Sequence, residues 1–207
     1  MKIPRGDLVG RVAGIATGVA FFAGAATLLG VVLASGGAKP VPLNPTAKPG
    51  QGTASPTDLS VDFTGAGGLT LGGTLLLPPG SGPRTPAVVI VPDDGATNRD
   101  GLEPPNSLAD PLYSDLAGAL ESAGIASLRY DRRGEGASAV PPGSDISLAE
   151  VTSDVQGALG FLAGRTDVDR SELGLVGDGQ GGLVAAQVAA TDPVVRSLVL
   201  VSTPGRP

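Results

Sequence analysis

The sequence contains no histidine among its 207 residues. Hydrolases with a serine nucleophile normally use an imidazole to take the hydroxyl proton and to return it to the leaving group. Lysine can replace histidine as the base, but Lys2, Lys39 and Lys48 all precede the segment whose patterning predicts a folded domain. Tyr113 and Tyr130 are poor bases near pH 7 because a free phenol has a pKa of about 10. The chain thus lacks the usual general bases of acyl transfer.

Cysteine is also absent, which excludes disulfides, thiolate-ligated zinc and a lipid-modified cysteine anchor. The net charge of -6 argues against a nucleic-acid partner, because phosphate binding needs clustered lysine and arginine. Aromatic residues make up 3% of the chain and hydrophobic residues 41%. A core of aliphatic side chains is therefore expected. No cofactor and no metal site is assigned from the sequence.

A long uncharged apolar run covers residues 12–34 and follows Lys2, Arg5 and Arg11. As a helix this run is long enough to cross a bilayer, whose hydrocarbon core is about 30 Å thick. We predict a transmembrane helix (a signal anchor) at 12–34, and the positive-inside rule assigns residues 1–11 to the cytoplasm. This predicts a single-pass protein of the cell membrane with its domain on the extracytoplasmic side.

A cleaved signal peptide is the alternative to the anchor, because Gly36 and Ala38 are small residues suited to a cleavage site. The protein would then be secreted. The apolar run is longer than the roughly 7–15 residues usual in a signal peptide, which favours the uncleaved anchor. Residues 35–57 are rich in proline and glycine and are predicted to form an extended linker, so the folded domain is expected at 58–207.

Strand-like and helix-like patterns alternate along the domain. The run A-V-V-I-V at 87–91 is continuously apolar, as in a strand buried on both faces. Strand–helix–strand repeats of this kind predict a mostly parallel sheet covered by helices on both sides. The predicted strands are 59–64, 69–78, 87–91, 125–131, 172–177 and 197–201, and the predicted helices are 112–124, 147–165 and 183–190.

The stretch L-G-L-V-G-D-G-Q-G-G, residues 173–182, indicates a strand that runs directly into a tight turn and a helix. In enzymes that carry a nucleophile on such an elbow, small residues lie two positions before and after the nucleophile. Gly177 and Gly181 supply these small residues, which makes Gly179 the apex. Moving the apex to Asp178 would place Val176 and Gln180 at positions where the turn requires small side chains.

Three motifs in this order resemble the α/β-hydrolase superfamily: N-R-D-G at 98–101, D-R-R-G-E-G-A-S at 131–138 and G-D-G-Q-G-G at 177–182. The chain is most similar to bacterial serine hydrolases of the dienelactone-hydrolase-like and serine-aminopeptidase-like type, over residues 59–207. The resemblance implies an α/β, three-layer fold with a mostly parallel sheet, here partial, because it stops after the sixth strand of the family order. The fold class expected is this truncated domain preceded by one transmembrane helix.

The resemblance also implies where the family's site falls in this chain. The elbow of the family normally reads G-H-S-x-G-G, so the nucleophile position is Gly179, the preceding histidine is replaced by Asp178, and the amide that follows the nucleophile is that of Gln180. The oxyanion loop falls on Asp93, Asp94 and Gly95 (residues V-P-D-D-G-A-T). The family's catalytic acid and histidine come after further strands and have no counterpart here, so no catalytic residue is assigned.

Two groups of charged residues remain open to a second interpretation. Asp93, Asp94 and Asp178 could together hold a cation such as Ca²⁺ at the carboxyl edge of the sheet. Solvated loop carboxylates, one of them capping a turn, are the alternative that we favour. Asp131 with the two arginines that follow it is expected to form a structural turn with salt bridges, in agreement with the resemblance.

The expected function is a catalytically inactive, membrane-tethered binding or interaction module. The alternative is a fragment or a split subunit of a serine hydrolase that acts on ester or peptide bonds. The last predicted strand, 197–201, would be an exposed edge of the sheet, and such edges recruit further strands. This predicts that the domain either pairs through that edge with a second copy or a partner chain or is only marginally stable alone. The membrane contact through the N-terminal helix is expected in addition.

Overall fold

The computed structural model of the chain describes residues 31–34, 57–94, 98–101, 111–141 and 144–205. The described elements, in chain order, are β1 (Val31–Ala34), β2 (Thr57–Thr64), a 3-10 turn (Ala66–Gly68), β3 (Thr70–Leu77), β4 (Ala87–Val91), α1 (Leu112–Ser122), β5 (Ala126–Tyr130), α2 (Leu148–Ala163), β6 (Leu173–Asp178), α3 (Gly179–Thr191) and β7 (Val195–Val201). The strands and helices predicted between residues 59 and 201 are all present, within a few residues of their expected ends.

These strands form one sheet in the order β1-β7-β6-β4-β5-β3-β2. Strands β7, β6, β4 and β5 are parallel to one another, whereas β3 pairs antiparallel with both β5 and β2, and β1 pairs antiparallel with β7. The sheet is therefore mixed, with a parallel centre, rather than mostly parallel as predicted. Strand β4 lies between β5 and β6 and is parallel to both, so the carboxyl ends of the three strands meet at one edge of the sheet. In this architecture, the loops at that edge form the binding sites.

Alternation along the central strands sends side chains to two cores, one on each face of the sheet. Val89 and Val91 pack with helices α2 and α3, while Ile90 between them packs with α1. In the same way Leu75 belongs to the first core and Leu76 to the second. Helices thus cover both faces of the sheet, as the alternating pattern predicted.

Helix α2 begins at a capping box. The Ser147 hydroxyl accepts a hydrogen bond from the Glu150 N–H at 3.2 Å, and the Glu150 carboxylate accepts one from the Ser147 N–H at 3.0 Å. Both bonds satisfy amides that the helix itself leaves without a partner. This cap fixes the start of α2, whose inner face carries the buried Asp154.

The transmembrane helix predicted at 12–34 is corrected by the structure. Residues 12–30 lie outside the described residues, but Val31–Ala34 form strand β1 and not a helix. Among the residues that the structure describes, no helix has the length and apolarity needed to cross a bilayer. The membrane contact through an N-terminal helix and the single-pass localisation therefore have no support. The expected cytoplasmic segment 1–11 and most of the linker 35–57 also fall outside the described residues.

The prediction that residues 197–201 form an exposed edge of the sheet is wrong. Strand β1 pairs antiparallel with β7 in the register Val31↔Leu200 to Ala34↔Ser197. The backbone of β7 thus has a strand on each side, β6 and β1. Because this edge is covered by a segment of the same chain, it provides no argument for pairing with a second copy or with a partner chain.

Candidate functional site

The turn between β6 and α3 has no intervening loop, since the strand ends at Asp178 and the helix begins at Gly179. Gly179 has φ +51°, in the left-handed region where residues with a side chain are strained by about 1–2 kcal/mol. A Cβ on Gly177 would lie 2.5 Å from the Cα of Gly182, closer than real Cβ contacts allow. The helix therefore begins so close to its strand that the turn requires glycine at these positions.

Gly181 is the second small residue of the elbow, and it faces the end of strand β4. A Cβ at this position would overlap the carbonyl oxygens of Val91 and Pro92. The first turn of α3 thus rests directly on the backbone that leads into the loop after β4. Because this contact involves backbone atoms, neither side can give way when a side chain is added.

The carboxylate of Asp93 fills the apex of the elbow. Its Oδ1 accepts a hydrogen bond from the Gln180 N–H at 2.6 Å and another from the Asp94 N–H at 2.7 Å. A Cβ on Gly179 would overlap this carboxylate. The Gln180 amide, which the resemblance assigns to an oxyanion, and the Asp94 amide of the oxyanion loop thus both bind a carboxylate of the chain itself.

Tyr113 of α1 joins the loop after β4 to the end of β6. Its hydroxyl accepts a hydrogen bond from the Asp93 N–H at 3.0 Å and donates one to Asp178 Oδ2 at 3.1 Å. The Tyr113 side chain is buried in the core between α1 and the sheet. Since a buried phenol needs a partner for its hydroxyl, this bridge fixes both acidic residues relative to α1.

The environment of this cluster raises the pKa values of two of its groups, Tyr113 and Asp178. Burial raises the pKa of Tyr113 further above its usual value, opposed by the hydrogen bond from the Asp93 N–H and reinforced by the charge of Asp178, so the phenol stays protonated. Burial and the neighbouring charge of Asp93 raise the pKa of Asp178, partly offset by the Tyr113 hydrogen bond. Two carboxylates next to the elbow also repel any negative charge that would develop there, which is the reverse of transition-state stabilisation.

Arg132 lies on the outer side of the same loop. Its Nη1 donates to the Asp93 carbonyl at 3.2 Å and to Asp94 Oδ1 at 2.8 Å. The Asp94 side chain is 52% exposed, so this ion pair contributes little to stability on its own. Its effect is geometric, because it ties the loop after β4 to the turn after β5.

Asp131 organises the turn that follows β5. Both of its carboxylate oxygens accept hydrogen bonds from the Arg99 side chain, at 3.1 and 2.6 Å, and they also accept from the N–H groups of Arg99 and Ala137. Burial works against ionisation, but these hydrogen bonds win and lower the pKa of Asp131. The N-R-D-G and D-R-R-G motifs are therefore partners in one ion pair, which supports the structural role expected for this turn.

Arg133 makes the most buried ion pair of the described residues. Its Nε and Nη2 donate to the two oxygens of Asp154 at 2.9 and 2.8 Å, and Nη2 also donates to the Ala66 carbonyl at 2.9 Å. The side chains of Arg133 and Asp154 are only 8% and 2% exposed. This pair fastens α2 to the turn between β2 and β3, so the second arginine of the motif also has a structural role.

Five of the six positions assigned to the family's site are described, and the structure brings them together: Asp93, Asp94, Asp178, Gly179 and Gln180. Gly95 lies outside the described residues. Over the described ranges, no group of three or more acidic residues is placed to hold a metal ion jointly. Asp93 instead acts on amides of its own loop and of α3, which is closer to the capping role weighed for it than to a cation site.

The sequence interpretation missed the role of Tyr113, which it considered only as a base. The signal available in the sequence was the position of Tyr113, one of two tyrosines in the chain, on the apolar face of a helix. Such a residue must find a buried hydrogen-bond partner, and the nearest strand ends carry Asp93 and Asp178. The partner could not be chosen from the sequence, because it depends on how α1 packs against the sheet.

Comparison with known proteins gives a match at family level. Residues 111–206 match the model of the family described as serine aminopeptidase, S33. The match begins at α1 and extends past the elbow to the end of β7. It confirms the resemblance drawn from the motifs, including its serine-aminopeptidase-like part.

Similar proteins include the polyketide transferase claH of Penicillium crustosum, 34% identical over 68% of this chain and 42% of that protein. The esterase EstD of Thermotoga maritima is 32% identical over 66% of this chain and 31% of the relative. The crystal structure of the alpha/beta hydrolase GrgF from Penicillium sp. sh18 superposes with a TM-score of 0.56 at 29% identity, over 67% of this chain and 43% of that one. The chain spans less than half the length of each of these relatives.

Proposed function

The chain belongs to the α/β-hydrolase superfamily, and we propose that it is a non-catalytic binding or interaction module of that superfamily. The observation that carries this proposal is Gly179 at the apex of the elbow, where the hydrolases of the family place their nucleophile. Glycine has no atom that can attack an ester, and the frame around it is that of an elbow. The turn thus keeps the family's geometry without its reactive group.

Two further observations support inactivity. The 207 residues contain no histidine that could activate a serine or a water. The amide of Gln180 donates to the Asp93 carboxylate at 2.6 Å, so it is engaged before any substrate arrives. A nucleophile, a base and an oxyanion site are all required for acyl transfer, and each of them is missing or blocked here.

A second candidate function is a segment or split subunit of a serine hydrolase that acts on ester or peptide bonds. It is favoured by the share of the relatives that the chain covers, 42% for the polyketide transferase and 31% for the esterase. Residues supplied from elsewhere would then have to provide the nucleophile as well as the acid and the base. The overlap between Asp93 and any side chain at position 179 weakens this alternative, because the blocked apex belongs to the present residues.

The test is the reactivity of the full chain. We expect no hydrolysis of p-nitrophenyl acetate or butyrate above a buffer blank, and no labelling by a fluorophosphonate probe in intact-mass spectrometry. The Gly179→Ser variant is the matched control, and it should remain inactive and unlabelled because the base is still absent. Stoichiometric labelling of a serine in the wild-type chain would overturn the proposal. Turnover by the wild type that Gly179→Ala leaves unchanged would also do so, by showing a reaction centre elsewhere.

A further inference from the structure

The Asp93 carboxylate reaches the elbow from a loop 87 positions earlier in the chain. One of its oxygens accepts both the Gln180 N–H and the Asp94 N–H, at 2.6 and 2.7 Å. A hydrogen bond to an ionised acceptor is roughly twice as strong as one between neutral groups. The pair of amides therefore has a strong internal ligand.

We propose that Asp93 is an internal ligand that blocks the elbow: its carboxylate occupies the space of an apical side chain and binds two amides, that of Gln180 after the apex and that of Asp94 in the oxyanion loop. This goes beyond the missing nucleophile, since it closes the same site by a second and independent means. The proposed lack of catalysis would stand even if Asp93 left the elbow freely.

The steric part of this closure follows from the position of the carboxylate. A Cβ built on Gly179 would overlap the Oδ1 and the Cγ of Asp93, and it would lie 2.5 Å from Oδ2. The carboxylate thus lies where an apical side chain would begin. A side chain at position 179 and Asp93 in its present conformation exclude each other.

The loop that carries Asp93 is held on both sides, so the carboxylate does not leave by a simple loop movement. The buried Tyr113 hydroxyl accepts the Asp93 N–H at 3.0 Å, and Arg132 donates to the Asp93 carbonyl at 3.2 Å. These contacts come from α1 and from the turn after β5, which are separate elements. To open the elbow, the Asp93 side chain must rotate away and leave two amides without their charged partner.

The experiment measures whether a small carboxylate can replace the one that is removed. In the full chain, Asp93→Gly should lower the melting temperature by about 3–10 °C, because two hydrogen bonds to a charged acceptor are lost. Titration with sodium formate should then raise the melting temperature of this variant saturably and shift the Gln180 amide resonance towards its wild-type position. Sodium chloride at equal ionic strength should do neither, and formate should leave the wild-type resonance in place.

A second measurement tests the steric part through a double-mutant cycle. Gly179→Ala should cost several-fold more in the equilibrium constant for folding in the wild-type background than in the Asp93→Gly background. The left-handed φ at position 179 penalises alanine in both backgrounds, so it cancels in the comparison. The control variant is Asp145→Gly, which removes an exposed loop carboxylate and should change neither the melting temperature by more than about 1–2 °C nor the response to formate.

If Asp93→Gly does not fold, Asp93→Asn keeps the shape and one acceptor oxygen but removes the charge. It should melt below the wild type, and its Gln180 amide should shift upfield as the hydrogen bond weakens. The proposal is overturned if Asp93→Gly or Asp93→Asn melts like the wild type with an unchanged Gln180 amide. It is also overturned if formate binds the wild type as well as the variant, or if Gly179→Ala costs the same in both backgrounds. None of these outcomes would restore catalysis, so they do not decide the proposed function.

Discussion

Replacement of Arg133 by methionine tests whether the D-R-R-G turn supports the fold or acts in the site. Arg133 lies at 8% exposure against Asp154 at 2%, with two hydrogen bonds to its carboxylate and one to the Ala66 carbonyl. In Arg133→Met, Asp154 would keep one hydrogen bond, from the Ala66 N–H at 2.7 Å. The variant therefore leaves a buried carboxylate without its counter-charge.

The magnitude follows from this burial. Removing one partner of a buried ion pair costs about 3–5 kcal/mol, since the remaining charge stays desolvated. For a domain of this size that corresponds to a fall in melting temperature of about 6–20 °C. Arg165 offers a matched control, because it also binds an aspartate through two hydrogen bonds, at 2.7 and 2.6 Å to Asp167, but both side chains are about a quarter exposed. Arg165→Met should cost only about 0–1 kcal/mol.

Urea unfolding of the two variants, followed by circular dichroism, measures both costs in the same assay. Adding Asp154→Leu to Arg133→Met should recover much of the loss, because it removes the unpaired charge and fills the space with an apolar side chain. If Arg133→Met lowers the free energy of unfolding no more than Arg165→Met does, the ion pair between Arg133 and Asp154 does not stabilise the fold. The structural role assigned to the D-R-R-G turn is then refuted.

Three further predictions concern the elbow and its neighbours. Gly177→Ala should destabilise the fold by about 1–3 kcal/mol in urea unfolding, since its Cβ would lie 2.5 Å from the Gly182 Cα, whereas Gly118→Ala in α1, with open space around it, should stabilise it by about 0.5–1 kcal/mol. Asp178→Asn should raise the melting temperature at pH 7 by roughly 1–3 °C, because burial and the charge of Asp93 raise the pKa of Asp178 and so penalise its ionised form. The gain should fade as the pH falls through the raised pKa and vanish below the unfolded value of about 3.9, where the carboxyl binds its proton in the folded and unfolded states alike. Arg99→Met should lower the free energy of unfolding by about 2–3 kcal/mol above pH 4. Because the pKa of Asp131 is lowered in the folded state, the stabilisation by its ionised form is complete above the unfolded pKa of about 3.9 and is lost as the pH falls through the lower folded pKa. The stabilities of the wild type and the variant should therefore converge in acid. The packing argument is contradicted if the two glycine variants are equally destabilised. The pKa argument for Asp178 is contradicted if Asp178→Asn gives no gain at pH 7, and that for Asp131 if the cost of Arg99→Met persists at acid pH.

The sequence allowed most of the fold to be predicted, because its periodicities are local and strong. The strand at 87–91 is apolar throughout and is bounded by proline, and α2 starts at a serine followed three residues later by a glutamate. The elbow was equally accessible, since only glycine satisfies its crowded positions. Such signals depend on neighbouring residues alone, so they do not require knowledge of the tertiary packing.

The segment 31–34 shows where local pattern fails. V-V-L-A continues an uncharged run and therefore suits a membrane helix, but β-branched apolar residues suit a strand as well. The structure pairs these residues with β7, whose open side offers backbone partners. Length and hydropathy alone do not distinguish the two outcomes, because the deciding interaction is with residues about 165 positions further along the chain.

The positions of the elbow and of the loop after β4 could be assigned from the sequence, but the contacts between them could not. From the sequence, Gly179 was assigned to the apex and Asp93 to the oxyanion loop, as two separate positions. The structure makes them a single arrangement, since the carboxylate can enter the elbow only because position 179 has no side chain. Restoring a serine there would force Asp93 out and cost its two amide hydrogen bonds, while removing Asp93 alone would expose amides with no nucleophile beside them. Either change by itself is therefore unfavourable. If the proposed function is right, hydrolysis at this elbow would require both substitutions together with a base, and the 207 residues contain no histidine.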